Sequence, residues 1–239
     1  MKLEVYSNAD AVAQKAAALV AAEARAAVAA RGAFVMAVSG GHTPWEMLRA
    51  LAGEDDTTGI AWIRSGRRGA CSTRLSCRCV RFLSGSPVGA TLSSTCTTWT
   101  SSHGTSSNLQ AACEEYALTL RTIAGSPPVL DLIHLGLGPD GHTASLVPGD
   151  AVLEIKDADV AVTGLYQGRR RMTLTYPILS RSRRILWLVT GSEKAGMLAR
   201  LRAGDAQIPA GRVRADHALV LADRAAAGRL NNDAKAEVA

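Results

Sequence analysis

Three short, mostly apolar runs, each ending in a glycine-bearing turn, constrain what this chain can fold into. Phe34-Val35-Met36-Ala37-Val38 runs into Ser39-Gly40-Gly41, residues 129–135 run into Gly136-Leu137-Gly138-Pro139-Asp140-Gly141, and residues 184–190 run into Gly191. Strands this apolar have no face to offer water, which places them inside a parallel sheet covered on both sides. Residues 218–222 are a last, shorter run of the same kind.

The stretches between these runs read as helices. Asn8 is a natural N-cap for residues 9–30, where alanine dominates and charges are few. Thr43-Pro44-Trp45-Glu46 combines an N-cap, a proline at the first helical position and a glutamate closing a capping box, which predicts a helix to about Gly53. Residues 192–203 predict another, stopped by Gly204. Strands alternating with helices indicate an α/β domain with a mainly parallel sheet and helices on both faces, and ligands bind such sheets at the carboxyl ends of their strands. All three glycine turns fall there. A single domain over residues 1–230, followed by a disordered tail at 231–239, is the expected organisation.

Charge matters mainly for where it lies. The chain has 27 Lys and Arg against 21 Asp and Glu, a net charge of +6. No acidic residue occurs between Thr57 and Cys113, whereas Arg64, Arg67, Arg68, Arg74, Arg78 and Arg81 do, so one stretch supplies the whole surplus. A basic character confined in this way argues against nucleic acid as a partner. Cys71, Cys77, Cys79 and Cys96 crowd the same stretch without a second paired motif or a histidine at ligand spacing, so no metal site is expected. The charged residues Lys2, Glu4 and Asp10 near the start, and the absence of any apolar stretch approaching bilayer length, predict no export signal, no membrane association and a cytoplasmic location.

Residues 57–107 form the anomaly. Serine, threonine and scattered arginines replace the apolar runs, and so long a loop inside a compact domain argues against itself. The remainder is rich in alanine, arginine and glycine, and a GC-rich gene read one base off yields this arginine, serine and cysteine bias. The stretch therefore reads as translated out of frame, and resequencing the gene tests that. Its composition offers too little apolar surface for a packed strand.

Two turns carry chemistry. Glycines and a helix start at Ser39-Gly40-Gly41-His42-Thr43-Pro44 suit an anion, although a plain packing turn explains that pattern equally well. The second, residues 136–149, sets Asp140 and His142 together beside a buried strand, and histidine is the side chain able to take a proton from water near neutral pH. His134 reads as a packing residue within that strand.

Gly136-Leu-Gly-Pro-Asp-Gly-His-Thr-Ala-Ser-Leu-Val-Pro-Gly149 resembles the signature loop of 6-phosphogluconolactonases, GxGxDGHTASLFPG. Ser39 to Pro44 resembles that family's SGGxTP loop, Arg171 to Pro177 its RxTLTxP strand and Thr190 to Ala195 its TGxEKA turn. The resemblance implies a Rossmann-like, doubly wound sheet and a hydrolase needing no cofactor. It also implies a phosphorylated sugar lactone as substrate, within the pentose phosphate pathway. Carried across, it makes His142 the general base and Asp140 its neighbour. Ser39, Gly40, Gly41 and Thr43 become a phosphate cradle, with Arg171 and Lys194 as its cations. The family's strand ending in Asp-Glu-Arg is missing from the anomalous stretch. Two alternatives follow: a glucosamine-6-phosphate deaminase-like isomerase, disfavoured by Thr143-Ala144-Ser145-Leu146 after His142, and a catalytically impaired sugar-phosphate-binding homologue.

Overall fold

The computed structural model describes residues 1–40, 43–51, 77–83, 97–98, 106–214 and 216–228. Most of the anomalous stretch, Gly41, and the tail at 231–239 lie outside the described residues.

Strands β1 (Lys2–Tyr6), β2 (Ala33–Ser39), β3 (Cys77–Leu83), β4 (Thr97–Thr98), β5 (Leu132–Leu135), β8 (Ile185–Val189) and β9 (Ala218–Asp223) make one sheet in the order β1-β9-β8-β5-β2-β3-β4. The first five in that order run parallel. β6 (Val160–Val162) and β7 (Met172–Leu174) form a separate antiparallel pair.

Side-chain alternation along the strands builds two cores. Phe34, Met36, Val38, Leu132, Leu186, Leu188, Leu219 and Leu221 face one side, packed by α1 (Ala9–Arg31) and α2 (Thr43–Leu51). Val35, Ala37, Ile133, Leu135, Ile185, Trp187, Val189 and Val220 face the other, packed by α3 (Ser106–Ala124), α4 (Tyr176–Arg181) and α5 (Ala195–Arg202). This is the doubly wound arrangement anticipated from the apolar runs, and each large side chain sealed within it, such as Trp187 or Phe34, contributes about 1.5–3 kcal/mol.

Helix α1 shows the local logic. The Asn8 side chain accepts from the Ala11 amide at 2.9 Å, and Gly32, left-handed at φ 74°, ends the helix by donating to the Val28 carbonyl. Its buried stripe of Val12, Ala16, Val20, Ala24 and Ala27 recurs at helical spacing, and such small residues let the helix lie close on the sheet.

The structure corrects the sequence reading in four places. β1 is an additional edge strand, paired from Lys2 with Leu219 to Tyr6 with Asp223; its half-polar pattern hid it. The anomalous stretch does supply strands. β3 pairs antiparallel along all of β2, from Ala33 with Leu83 to Ser39 with Cys77, because ladder formation is a backbone property that a short Val80/Phe82 alternation is enough to accompany. The helix expected at 192–203 begins instead as a 3₁₀ turn, Ser192–Lys194, before α5. Thr43 lies within the first turn of α2, and its hydroxyl is 3.4 Å from that of Thr190.

Candidate active site

The five parallel strands put their carboxyl ends on one edge, and there the candidate residues gather. β5 leaves the sheet at Leu135 and enters a closed turn, with the Gly138 amide donating to the His142 carbonyl at 2.8 Å and the Gly141 amide to the Gly138 carbonyl at 3.1 Å. Glycine is required at 138, since a Cβ there would stand 2.2 Å from His142 Nδ1. It is required again at 141, where φ is +80° and a Cβ would meet Ile208 at 2.6 Å. The Ala210 amide donates to the Gly141 carbonyl at 3.0 Å, which locks the loop against its neighbour.

This turn sets the His142 ring against its own carboxylate. His142 Nδ1 lies 2.5 Å from Asp140 Oδ1, and the His142 amide donates to the same oxygen at 3.1 Å. Partial burial pushes the Asp140 carboxyl up, but the hydrogen bonds from the His142 amide and ring outweigh it and leave the group below its ordinary value. An ionised Asp140 favours Nδ1–H on the imidazole and leaves the Nε2 lone pair as the basic one.

Arg171 comes within reach of this pair through Tyr166. The Tyr166 hydroxyl donates to Asp140 Oδ2 at 3.3 Å, its ring meets the His142 ring edgewise at 5.8 Å, and the Arg171 guanidinium lies 5.4 Å from its centroid. Buried threonines tie the motifs together: Thr173 Oγ1 accepts from the Ser145 amide at 3.1 Å, and Thr163 Oγ1 accepts from the Arg171 amide at 3.0 Å.

On the neighbouring strands, Ser39 ends β2 with its hydroxyl 3.1 Å from His134 Nδ1, and Gly40 follows it, exposed. The Thr43–Thr190 contact joins this loop to the turn that holds Lys194. That turn is fastened by Asp223 at the end of β9, which accepts from the Gly191 amide at 3.1 Å and the Ala226 amide at 2.7 Å. Among the described residues neither Arg171 nor Lys194 forms an ion pair with a carboxylate, which suits an anionic ligand. His142, Asp140 and Arg171 are thus joined in one set of contacts. Ser39, Thr43 and Lys194 belong to the adjacent loops of the same edge.

The sequence matches the family described as glucosamine-6-phosphate isomerases/6-phosphogluconolactonase over residues 7–65 and 90–221. The chain belongs to this family. The interval between the matched segments, 66–89, falls inside the anomalous stretch. Among the family's proteins, a 6-phosphogluconolactonase of Synechocystis is 29% identical over 218 residues, covering 86% of either chain. A 6-phosphogluconolactonase structure from Trypanosoma brucei superposes with a TM-score of 0.69 at 19% identity, covering 96% of this chain and 98% of that one. A monomeric glucosamine-6-phosphate deaminase gives 0.64 at 20% identity, covering 95% and 98%. At those identities the structures speak for the shared fold alone.

Sequence reasoning missed Tyr166 and Asp223, and gave Thr173 no role beyond its place in the Arg171 to Pro177 motif. Asp223 sits one residue past the last apolar run, so a strand-terminal carboxylate was the available signal. Tyr166 gave none, because its partners are 26 residues away in sequence at Asp140 or across a turn at Arg171.

Proposed function

We propose that this chain hydrolyses 6-phosphoglucono-δ-lactone to 6-phosphogluconate as a cytosolic, cofactor-independent step of the pentose phosphate pathway. The observation that carries the reading is the Asp140–His142 pair at the carboxyl end of β5. The name borne by the Synechocystis relative supports it.

Water is deprotonated by His142 Nε2 as its oxygen attacks the lactone carbonyl carbon. The imidazolium that forms is stabilised by Asp140 on the opposite nitrogen. The tetrahedral oxyanion then collapses, the bond from the carbonyl carbon to the ring oxygen breaks, and His142 returns the proton to the departing alkoxide. Lactone opening is intrinsically easy, so positioning the substrate is the main requirement. That task falls to Arg171, Lys194 and the Ser39–Thr43 loop acting on the phosphate.

Steady-state hydrolysis of the phosphorylated lactone, corrected for spontaneous opening, tests the reading together with its phosphate assignments. Arg171→Ala or Lys194→Ala should raise KM for the phosphorylated lactone about tenfold or more, the usual scale for a lost charge-assisted hydrogen bond. An unphosphorylated lactone should be scarcely affected, and equal damage to both substrates contradicts the assignment. Ammonia release from glucosamine 6-phosphate would instead favour deaminase chemistry, and calorimetric binding of 6-phosphogluconate without turnover an impaired homologue.

A further inference from the structure

Tyr166 stands at the head of a tight hairpin. Tyr166 and Arg169 exchange both backbone hydrogen bonds, at 3.0 and 3.2 Å, around Gln167 and Gly168, whose φ angles of 50° and 72° are those of a primed two-residue turn. Such a turn matches the twist of its flanking strands, so the hairpin is a firm support for a side chain projecting from its base. Of the polar and aromatic groups on this edge of the sheet, Tyr166 touches both the proposed base pair and a proposed phosphate cation.

We propose that Tyr166 is a positioning residue that fixes the Asp140 carboxylate through its hydroxyl and carries Arg171 on its ring, joining phosphate recognition to the base through one aromatic side chain. Asp140 has two oxygens and two duties. Oδ1 holds His142, and a carboxylate free to rotate would offer that nitrogen either oxygen at varying geometry. The Tyr166 hydroxyl on Oδ2 removes that freedom. The same hydrogen bond draws charge from Asp140, leaving less of it to stabilise the imidazolium that forms in the proposed reaction. The guanidinium on the ring face is a cation–π contact of the ordinary kind. A phosphate that draws Arg171 into place also presses Tyr166 onto Asp140, so the phosphorylated lactone orders its own base. Among the described residues, the charged and titratable groups against His142 in this arrangement are Asp140 from its own loop and Tyr166 from the hairpin, with Arg171 against the Tyr166 ring.

The kinetic part of this inference rests on the lactonase reading, whereas its structural part does not, and the experiment separates them. In Tyr166→Phe the ring and the Arg171 contact remain while the hydroxyl is lost. We expect kcat to fall about three- to tenfold with KM little changed, and the acid limb of the kcat/KM profile to move to higher pH by a few tenths of a unit. In Tyr166→Leu the ring goes too, and KM for the phosphorylated lactone should rise while that for an unphosphorylated lactone stays put. In parallel, nitrogen-15 NMR of the His142 ring, assigned against His142→Gln, should show an Nδ1–H tautomer in the parent and a raised titration midpoint in Tyr166→Phe. An identical tautomer and titration in both proteins would overturn the proposal, as would equal KM changes for the two lactones in Tyr166→Leu. A parent without lactonase turnover would remove the functional reading instead, and the His142 titration would still decide the role of Tyr166.

Discussion

His134 and His142 sit at either end of the same strand exit, and their surroundings make them different groups. His134 lies within β5, is 1% exposed, and among the described residues its ring hydrogen-bonds only the Ser39 hydroxyl, with Nε2 buried and unpartnered. Burial drives its imidazole down to about 3, so it is neutral at any physiological pH. His142 lies seven residues beyond the strand's end, partly open, with a carboxylate on one nitrogen and the other available. A shared strand makes neither residue a base. An ionised partner together with a partly exposed ring is what the proposed role requires, and His142 has both.

Removing His142 should break the comparison most severely. His142→Ala should lower kcat by about 10² to 10⁴, the usual worth of a general base, while leaving calorimetric binding of 6-phosphogluconate largely intact. Turnover equal to the parent's would remove His142 from the reaction.

Asp140→Asn should make His142 more like His134 by withdrawing the negative charge. A cost of about 10- to 100-fold in kcat is expected, less than for loss of the base itself. The sign of the pH effect is definite: without an opposite charge beside it the imidazolium is less favoured, so the acid limb of kcat/KM should move to lower pH. A limb that stays in place would mean that Asp140 orients the ring without tuning it. Tyr166→Phe is expected to shift the limb the other way, so the two variants bracket the carboxylate's influence.

The contrast also shows how much of the molecule was legible. The two-core sheet was readable because an unbroken apolar run leaves a strand no choice but burial on both faces, as at Phe34–Val38 and Ile185–Val189. The Asp140–His142 pair was readable because two residues of one turn need no knowledge of the fold to be neighbours. Tyr166 was not, since its contacts cross a chain reversal and its own position carries no periodic signal. β3 was not either, because its pairing with β2 is written in backbone groups that every residue possesses. His134 was read as a packing residue, which describes its burial but not its hydrogen bond to Ser39. That contact depends on β2 and β5 lying side by side, with Val38 in register with His134.

His134 gives the smallest expected effect on turnover, and a larger one on stability. His134→Leu removes a neutral, buried ring that makes no contact with the reacting atoms in the proposed chemistry, so kcat should change by no more than about threefold. Stability should respond to pH in a characteristic direction. The unfolded chain protonates this imidazole near its ordinary value of 6.5, whereas the folded one resists until about 3. Between those values the unfolded state holds more protons, so the parent's stability is complete above the window and declines as pH falls through it. The decline attributable to His134 should be on the order of 2 kcal/mol between pH 6.5 and 4.5. Leucine cannot titrate. Urea midpoints measured for both proteins from pH 7.5 to 4.5 should therefore converge or cross as the parent weakens, since every other titrating group is common to the two. Curves that fall in parallel would show that His134 is protonated as readily folded as unfolded, and the distinction drawn between the two histidines would then lose its basis in burial.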